Sequence, residues 1–496
     1  MSRRPNIMFF MADQFRWDCL GVAGNPVIRT PHLDALARRG TVFANAFTPN
    51  PICVPARASI MTGNYSHACT GSKDNDGAIR EGQPLLTEVL KSVGYRTYAM
   101  GKLHFAPYSP PGKPRLVHGF EHVDLHESGR ILAQFDPEGR SRGLEDYFDY
   151  LRTVGWGGYA RAHGIGNNDV RPCPSPLPPE HYVDHWIADC TLRQIDRHQR
   201  EFPDRPFFMF MSSPKPHSPY DPPRPFDQLY DPRRLPGPFG SATDSESRDP
   251  SLEVERYTRA MTTLSPEAIQ VIRSYYYGSV TFLDEQIGRV IAALEEKGLL
   301  DNTLILFTAD HGDLLGDFGT FFKMNHLNGS VRIPLIMAGP GVAKGVRSEA
   351  LVGLQDILPT LAASAGARIG QAVHGIDLTP HLAKGGGDVR PAYYSQTGDA
   401  PEQSSMVCDG GWKYIYSQWG GVEELYDQVN DPAELRNAAG DSAQSGRLAH
   451  YRSLLRRCAE EIGDTAILAP EGFARSPLDR AAIRRLPIRG MGWRYY

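Results

Sequence analysis

The sequence predicts an α/β protein. A large, mostly parallel sheet flanked by helices is followed by a small C-terminal domain with an antiparallel sheet and a helix. Short apolar runs alternate with amphipathic segments through about the first three quarters of the 496 residues, which is the pattern of repeated strand–helix units. Four of these runs end in polar residues, as strands of an open α/β sheet do beside a ligand. Beyond residue 375 the pattern changes to short strands separated by glycine-rich turns.

The elements of the first region can be placed in order along the chain. Apolar runs predict strands over residues 6–11, 95–100, 206–211 and 302–308. Helical spacing of apolar residues predicts helices over residues 31–39, 84–93 and 355–365, and a long helix that begins at Ser265 and Pro266. We expect Thr30 to cap the first of these helices and Gly40 to end it.

The second region predicts a separate small domain, because a single core stops growing at roughly 250–300 residues. Its predicted strands cover residues 390–396, 405–409, 412–417 and 423–427, and its predicted helix covers residues 443–462. We therefore expect a catalytic domain over residues 1–375, a small α+β domain over 376–467 and a tail over 468–496. The basic tail ends in aromatic residues from Trp493 to Tyr496, which suggests docking on a neighbouring subunit of a homo-oligomer, with a frayed end as the alternative.

Charge, apolar runs and cysteine content indicate which classes of partner and which cellular compartment to expect. With 53 basic and 57 acidic residues the net charge is −4, which gives no electrostatic reason to expect nucleic acid or an anionic membrane. No run approaches the roughly 20 apolar residues of a membrane span, and the first apolar run is typical of a buried strand rather than a leader peptide. Seven scattered cysteines fit a reducing compartment. We expect a soluble, cytoplasmic protein that acts on a small molecule.

Cys53 lies where a helix is predicted to begin. Pro55 is typical of a first helical turn and Gly63 of a helix end, so Cys53 faces the free N–H groups and the positive end of the helix. Anions bind at such positions. No second cysteine is close enough for a redox pair or a zinc site, and Arg57 is too close to Cys53 for the loop of cysteine phosphatases.

Groups with hydrolytic chemistry follow the four predicted strands. They are Asp13 and Gln14, then Lys102 and His104, then Lys215 and His217, and finally Asp310 and His311. Ligands bind at the carboxyl ends of strands in open α/β sheets, so these groups are expected to share one crevice. Two carboxylates, an amide oxygen and an imidazole can hold a divalent cation. Oxygen donors favour Ca²⁺ and the imidazole favours Mn²⁺, so the sequence leaves the metal open. Lys215 is interpreted equally well as a solvated charge and is not assigned to the site.

Six motifs along the chain resemble those of the type I, formylglycine-dependent sulfatases of the alkaline phosphatase superfamily, and they occur in the same order. They are Met-Ala-Asp-Gln at 11–14, Cys-Val-Pro-Ala-Arg at 53–57, Gly-Lys-Leu-His at 101–104, Lys-Pro-His at 215–217, Ala-Asp-His-Gly-Asp at 309–313 and Phe-Lys-Met at 322–324. Gln14 and His311 stand where many sulfatases have Asp and Asn. Both features occur in the choline sulfatase and phosphonate monoester hydrolase branches, to which the resemblance is nearest.

The resemblance implies an alkaline phosphatase-like fold and a role for each matching residue. Cys53 would be oxidised by a formylglycine-generating enzyme to formylglycine, whose hydrated aldehyde is the nucleophile. The implied metal ligands are Asp13, Gln14, Asp310 and His311. The other implied roles are contact with the hydrated aldehyde for Arg57, with sulfate for Lys102 and Lys323, proton transfer for His104 and His217, and a substrate contact for Asn75.

These expectations lead to a sulfatase that hydrolyses a sulfate ester of a small alcohol, which is an aryl, choline or sugar sulfate. One alternative is a phosphonate monoester or phosphodiester hydrolase with the same nucleophile. The other is a catalytically silent sulfate-binding protein that keeps Cys53 as a thiol.

Overall fold

The computed structural model describes residues 4–106, 115–127 and 142–487. Within them the chain forms a large sheet covered by helices on both faces and a second, smaller sheet near the C-terminus. The strands of the large sheet are β1 (Asn6–Asp13), β2 (Gly40–Phe47), β3 (Arg96–Gly101), β4 (His122–Leu125), β5 (Phe207–Pro216), β6 (Thr303–Ala309), β7 (Leu335–Ala338) and β8 (Val346–Gly353). Their spatial order is β4-β3-β5-β1-β6-β7-β2-β8.

The large sheet is mostly parallel, as predicted. Strand β7 runs antiparallel to its neighbours β6 and β2, whereas the other neighbouring pairs are parallel. The central strands β1, β5 and β6 are buried along their whole length, which is why they read as continuous apolar runs.

Thirteen α-helices lie within the described residues. They are α1 (Pro31–Arg38), α2 (Cys53–Thr62), α3 (Ser66–Cys69), α4 (Leu86–Lys91), α5 (Asp146–Thr153), α6 (Val183–Glu201), α7 (Pro250–Thr258), α8 (Pro266–Glu296), α9 (Asn328–Val331), α10 (Ile357–Ser364), α11 (Thr379–Lys384), α12 (Ser445–Ile462) and α13 (Arg480–Ile483). None of the helices in this part of the chain is long and apolar enough to cross a bilayer.

The long helix α8 begins as predicted, with the Ser265 hydroxyl accepting the N–H of Ala268 (3.2 Å). Thr30 is the N-cap residue of α1, as predicted, but its side chain makes no capping hydrogen bond. The carboxylate of Asp284, from α8, accepts the N–H groups of His32 (3.1 Å) and Leu33 (2.8 Å) instead. An acidic side chain distant in the sequence thus accepts the free backbone N–H groups at the start of α1.

The C-terminal region contains an antiparallel sheet of four strands in the order β12-β11-β10-β9. The strands are β9 (Tyr393–Thr397), β10 (Ser404–Cys408), β11 (Trp412–Ser417) and β12 (Val422–Asp427). Helix α12 packs on this sheet through Leu448, Tyr451 and Leu455. The predicted four strands and one helix are therefore present, each within a few residues of its predicted bounds.

The first part of the tail packs on its own chain. The Phe473 ring lies 4.7 Å from that of Tyr416, Ile483 is buried, and Arg480 forms an ion pair with Glu253 (2.6 Å). Residues 488–496, which include the aromatic end from Trp493, lie outside the described residues. Docking of that end on a second subunit stays a prediction.

Candidate active site

The structure brings the polar strand ends together. Strands β3, β5, β1 and β6 are consecutive, parallel neighbours in the large sheet. Asp13 ends β1, and Lys102, His217 and Asp310 directly follow β3, β5 and β6. Because parallel strands end at the same edge, these side chains share one crevice.

Cys53 is the first residue of α2, as predicted, and Gly63 ends that helix in the left-handed conformation (φ 69°). The thiol is fully buried, with Sγ 3.2 Å from Nε2 of His311 and 4.0 Å from Oδ1 of Asp13. The start of the helix therefore points at the ends of β1 and β6, as an anion-binding helix would.

Arg57, one turn along α2, ties the strand ends to each other. Its Nε donates to Oδ2 of Asp310 (2.7 Å), and Nη1 donates to the carbonyl of Lys102 (3.1 Å) and the hydroxyl of Ser212 (3.0 Å). Its Nη2 lies 3.6 Å from Oδ2 of Asp13 and makes no hydrogen bond within the described residues. A buried guanidinium N–H is thus left for another acceptor.

Two lysines from different loops contact the residues at the end of β1. Nζ of Lys102 forms an ion pair with the Asp13 carboxylate, and Nζ of Lys323 donates to Oε1 of Gln14 (2.5 Å). The backbone N–H of Gln14 donates to Oδ1 of Asp310 (3.0 Å). These contacts join the ends of β1 and β6 to the loop that carries Lys323.

Four ligand atoms are clustered as a metal site would require. One atom each of Asp13, Cys53, Asp310 and His311 lies within 4.8 Å of the others, and all four residues are buried. Two carboxylates and an imidazole in this arrangement fit a divalent cation. The amide oxygen of Gln14, the fourth predicted ligand, accepts from Nζ of Lys323.

The predicted proton-transfer histidines are both buried. The N–H of His217 donates to the carbonyl of Asp13 (3.1 Å), and Nδ1 donates to the carbonyl of Ser218 (2.7 Å). Its Nε2 makes no hydrogen bond within the described part of the chain. His104 lies two residues after Lys102, in a loop that is hydrogen-bonded to Glu127. The backbone N–H of His104 donates to Oε1 of Glu127 (3.0 Å).

Asn75 lies beside the start of helix α2. Its Oδ1 accepts the N–H of Val54 (3.0 Å), so it satisfies one of the free donors in the first turn of α2. The N-cap residue Ile52 provides no side-chain cap. Asn75 therefore supports the helix start next to Cys53, and its predicted contact with substrate stays a prediction.

Charges in the crevice shift the pKa values of several groups. Burial alone would raise the pKa of Asp13, but Lys102, Arg57 and Lys323 hold it well below its usual range. Burial and Asp13 also work to raise the pKa of the Cys53 thiol, yet Lys323, Lys102 and His311 lower it to about 6. Burial, followed by Lys323, holds the pKa of His217 well below its ordinary value. A neutral His217 with Nδ1 as donor presents Nε2 as an acceptor.

Sequence reasoning missed one group that orders the site, the carboxylate of Asp313. Asp313 accepts from Nε2 of Gln14 (2.5 Å), from the hydroxyl of Tyr220 (2.5 Å) and from the N–H of Phe322 (2.8 Å), so it joins β1 to the Lys323 loop. Its place in the motif at 309–313 was a signal that could have found it.

The interpretation of Lys215 as a solvated charge is wrong. Its Nζ is buried, forms an ion pair with Asp221 and donates to the carbonyl of Pro219 (2.7 Å). The partner Asp221 is six residues away, on a loop whose course local sequence does not reveal.

Comparison with known proteins agrees with the site. The Sulfatase family model matches residues 5–367, and the model described as N-sulphoglucosamine sulphohydrolase, C-terminal, matches residues 316–461. An arylsulfatase of Clostridium perfringens is 31% identical over 91% of this chain and 94% of its own. A choline-sulfatase of Rhizobium meliloti is 30% identical over 88% of this chain and 82% of its own. Among solved structures, a phosphonate monoester hydrolase from Silicibacter pomeroyi is 25% identical, with a TM-score of 0.78 over 95% of this chain and 99% of that one.

The fold and the buried anion-handling site define a hydrolase of the alkaline phosphatase superfamily. The chain belongs to the sulfatase family and is, in class, a sulfuric ester hydrolase.

Proposed function

We propose that this enzyme hydrolyses the sulfate ester of a small organic alcohol, an aryl, choline or sugar sulfate, with formylglycine formed from Cys53 as the nucleophile. The observation that carries the proposal is the buried Cys53 at the start of α2, 3.2 Å from Nε2 of His311 and surrounded by cations. A residue so placed can attack an anionic ester whose charge those cations offset.

The donor set fits a divalent cation, and we assign its ligands as Asp13, Gln14, Asp310 and His311. Bound there, the ion would supply Lewis-acid polarisation of a sulfate oxygen. The protein surrounds that position with positive charge from Lys102 and Lys323. Buried carboxylates held by these cations stay ionised, as the lowered pKa of Asp13 indicates, and so remain available as ligands.

A hydrated aldehyde at position 53 supplies two hydroxyl groups where serine has one. One hydroxyl attacks sulfur, and the bond from sulfur to the ester oxygen breaks. The second hydroxyl then loses its proton, sulfate leaves from carbon, and the aldehyde is restored. Nη2 of Arg57, which makes no hydrogen bond within the described residues, is the group we assign to hold a hydroxyl of the hydrate.

Proton transfer falls to three side chains. We assign His104 to remove the proton of the second hydroxyl. The departing alcohol takes its proton from His217 or from Lys323. His217 can donate only when its imidazole is charged, since Nδ1 is committed to the carbonyl of Ser218. The negative charge of a bound sulfate ester acts in that direction, because it opposes the cations that lower the pKa of His217.

The enzymatic alternative is a phosphonate monoester or phosphodiester hydrolase. The structural similarity to a phosphonate monoester hydrolase favours it, as does 27% identity to a multifunctional alkaline phosphatase superfamily protein of Trinickia caryophylli. Both chemistries place a similar anion on the same nucleophile. A catalytically silent sulfate-binding protein with an intact thiol is the second alternative.

Two measurements test the proposal. Protein co-produced with a formylglycine-generating enzyme is digested with trypsin, and the peptide over residues 40–57 is weighed. We expect the mass of the aldehyde in place of the thiol. An intact thiol despite an active converting enzyme would contradict the mechanism and favour the silent binder.

The second measurement is turnover. The kcat/KM values are compared for para-nitrophenyl sulfate, choline sulfate, a sulfated monosaccharide and an aryl phosphonate monoester, with Cys53→Ala as the control. We expect a sulfate ester to be the better substrate and Cys53→Ala to be inactive. Preference for the phosphonate would establish the enzymatic alternative.

We also propose that the enzyme works in the cytoplasm, as a homo-oligomer, with a domain boundary at residues 375/376. All seven cysteines of the sequence lie within the described residues and are unpaired thiols, which is consistent with a reducing compartment. Sedimentation of the purified enzyme and fractionation of the source cells test the first two points.

A further inference from the structure

The segment that leads into the nucleophile helix is bonded to the C-terminal sheet. The backbone N–H of Gln396, on β9, donates to the carbonyl of Pro49 (3.0 Å), and the hydroxyl of Ser395 donates to the carbonyl of Thr48 (2.9 Å). These carbonyls lie a few residues before Cys53. The small sheet is therefore hydrogen-bonded directly to the chain segment that precedes Cys53.

The C-terminal region also holds the loop over residues 72–75, through a buried ion pair with Asp464, which lies just after helix α12. Nζ of Lys73 lies 2.8 Å from Oδ1 of Asp464 and donates to Oε1 of Gln403 (2.8 Å). Oδ2 of Asp464 accepts from the hydroxyl of Tyr394 (2.8 Å) and from Nε2 of Gln403 (2.9 Å). Side-chain exposure is 5% for Lys73 and 1% for Asp464, so solvent does little to weaken the pair.

That loop carries Asn75, whose Oδ1 accepts the N–H of Val54 in the first turn of α2. Lys73 is also tied to the approach segment, because its carbonyl accepts from Nδ2 of Asn50 (2.9 Å). A continuous path of contacts thus runs from Asp464 through Lys73 and Asn75 to the residue after Cys53. One end of the path lies in the turn after α12, and the other lies in the first turn of α2.

We propose that Asp464 is a positioning residue for the nucleophile, acting through Lys73 and Asn75. The proposal rests on the proposed function, in which residue 53 attacks sulfur. Without the carboxylate charge, Lys73 is left buried beside a neutral amide, the loop shifts, and Asn75 no longer caps α2. Misplacing a reacting group by about 1 Å costs roughly 100-fold in rate, so we expect kcat of Asp464→Asn to fall about 10- to 100-fold. KM should change by a smaller factor than kcat, because the contact predicted for Asn75 is the one substrate contact that the loop shift would affect.

The test compares Asp464→Asn, Asn75→Ala and the double variant on para-nitrophenyl sulfate. If both residues act on one path, the double variant loses no more kcat than the worse single variant. Glu253→Gln is the matched control, since Glu253 is a buried acid paired with Arg480 and lies off the path. It should lower the unfolding temperature but leave kcat unchanged. Equal kcat for Asp464→Asn and the wild type, at a lowered unfolding temperature, would overturn the proposal.

Hydrogen exchange provides a readout that needs no turnover. We expect Asp464→Asn to speed exchange of the backbone amides over residues 53–57, and Glu253→Gln not to. If the wild type turned over no sulfate ester, the proposed function would fail, while the exchange comparison would still decide the positioning role. Unchanged exchange over 53–57 would refute it.

A milder variant covers the case in which Asp464→Asn does not fold. Asp399 is exposed and accepts the N–H of Lys73 (3.1 Å) and the hydroxyl of Ser72 (2.7 Å) from the same loop. Asp399→Asn should raise exchange over residues 53–57 and lower kcat in the same direction by a smaller factor. No change in either quantity would count against the path.

Discussion

Replacing Lys413 with methionine removes a buried charge that joins the C-terminal sheet to the loop after Lys323. Lys413 lies on β11 and is fully buried. Its Nζ contacts Oε1 of Glu434 (2.6 Å), Oδ1 of Asn328 (2.6 Å) and the carbonyl of His326 (2.9 Å). Methionine has a similar length but cannot donate to any of these three acceptors.

The loss in free energy of unfolding is set by the Glu434 carboxylate, which stays buried without its cation. The Glu434 side chain is 2% exposed, and removal of one partner of a buried ion pair costs about 3–5 kcal/mol. Glu434 keeps two donors, the N–H of Asn328 (2.6 Å) and Nε2 of Gln428 (3.1 Å), so we expect the lower end, about 3 kcal/mol. In the double variant Lys413→Met/Glu434→Gln the uncompensated charge is gone, and the loss should shrink to roughly 1–2 kcal/mol.

Urea unfolding of the four proteins, the wild type, the two single variants and the double variant, measures these losses as a thermodynamic cycle. The kcat of Lys413→Met should fall as well, because His326 and Asn328 closely follow Lys323. Losses that simply add in the double variant would refute the argument from an unpaired charge.

Three further predictions concern the site and its surroundings. The variants His217→Asn and Lys323→Met distinguish the two candidate proton donors. The variant that lacks the true donor should lose more kcat on aryl sulfates whose leaving phenol has a high pKa than on para-nitrophenyl sulfate. An equal loss on all aryl sulfates in both variants would exclude both donors. Chelation should lower the unfolding temperature of the wild type but not of Asp310→Asn, because a cation at a hundredfold excess over its Kd stabilises the folded state by about 2.7 kcal/mol; the same response in both proteins would argue against Asp310 as a ligand. Burial raises the pKa of Asp284 to about 7, so its stabilising contribution is complete below pH ~4 and is lost as pH rises through 7. Asp284→Asn should therefore gain unfolding temperature relative to the wild type between pH 5 and pH 8, and a constant difference would contradict that reading.

Strands buried on both faces could be predicted from the sequence. The four predicted strands correspond to β1, β3, β5 and β6, which are almost wholly buried and therefore apolar throughout. The strands that were missed lie toward the edges of the sheet or are short. Strand β8 alternates exposed charged residues with apolar ones, and β7 has only four residues. Local pattern does not separate such segments from loops.

The site divides in the same way. Cys53, Asp13 and Asp310 could be predicted because each stands at a position set by local rules, a helix start or a strand end. The contacts of Asn75 and Lys73 could not be predicted, because their partners are distant in the sequence and come near only in the folded chain. Lys73 and its partner Gln403 are separated by 330 residues, and no local pattern links them.

Cys53 and His311 are 258 residues apart in the chain, yet their side chains touch in the closed site. During synthesis at about 5–20 residues per second, the ribosome needs roughly 10–50 s to add the intervening chain. Until then strand β6 does not exist, and the helix that carries Cys53 has no sheet edge to close against. In the finished fold the thiol is fully buried, out of reach of any second enzyme. We therefore expect the oxidation proposed for Cys53 to be completed while the chain is still being made or is not yet folded, and the rates of translation and folding to limit the fraction that is converted.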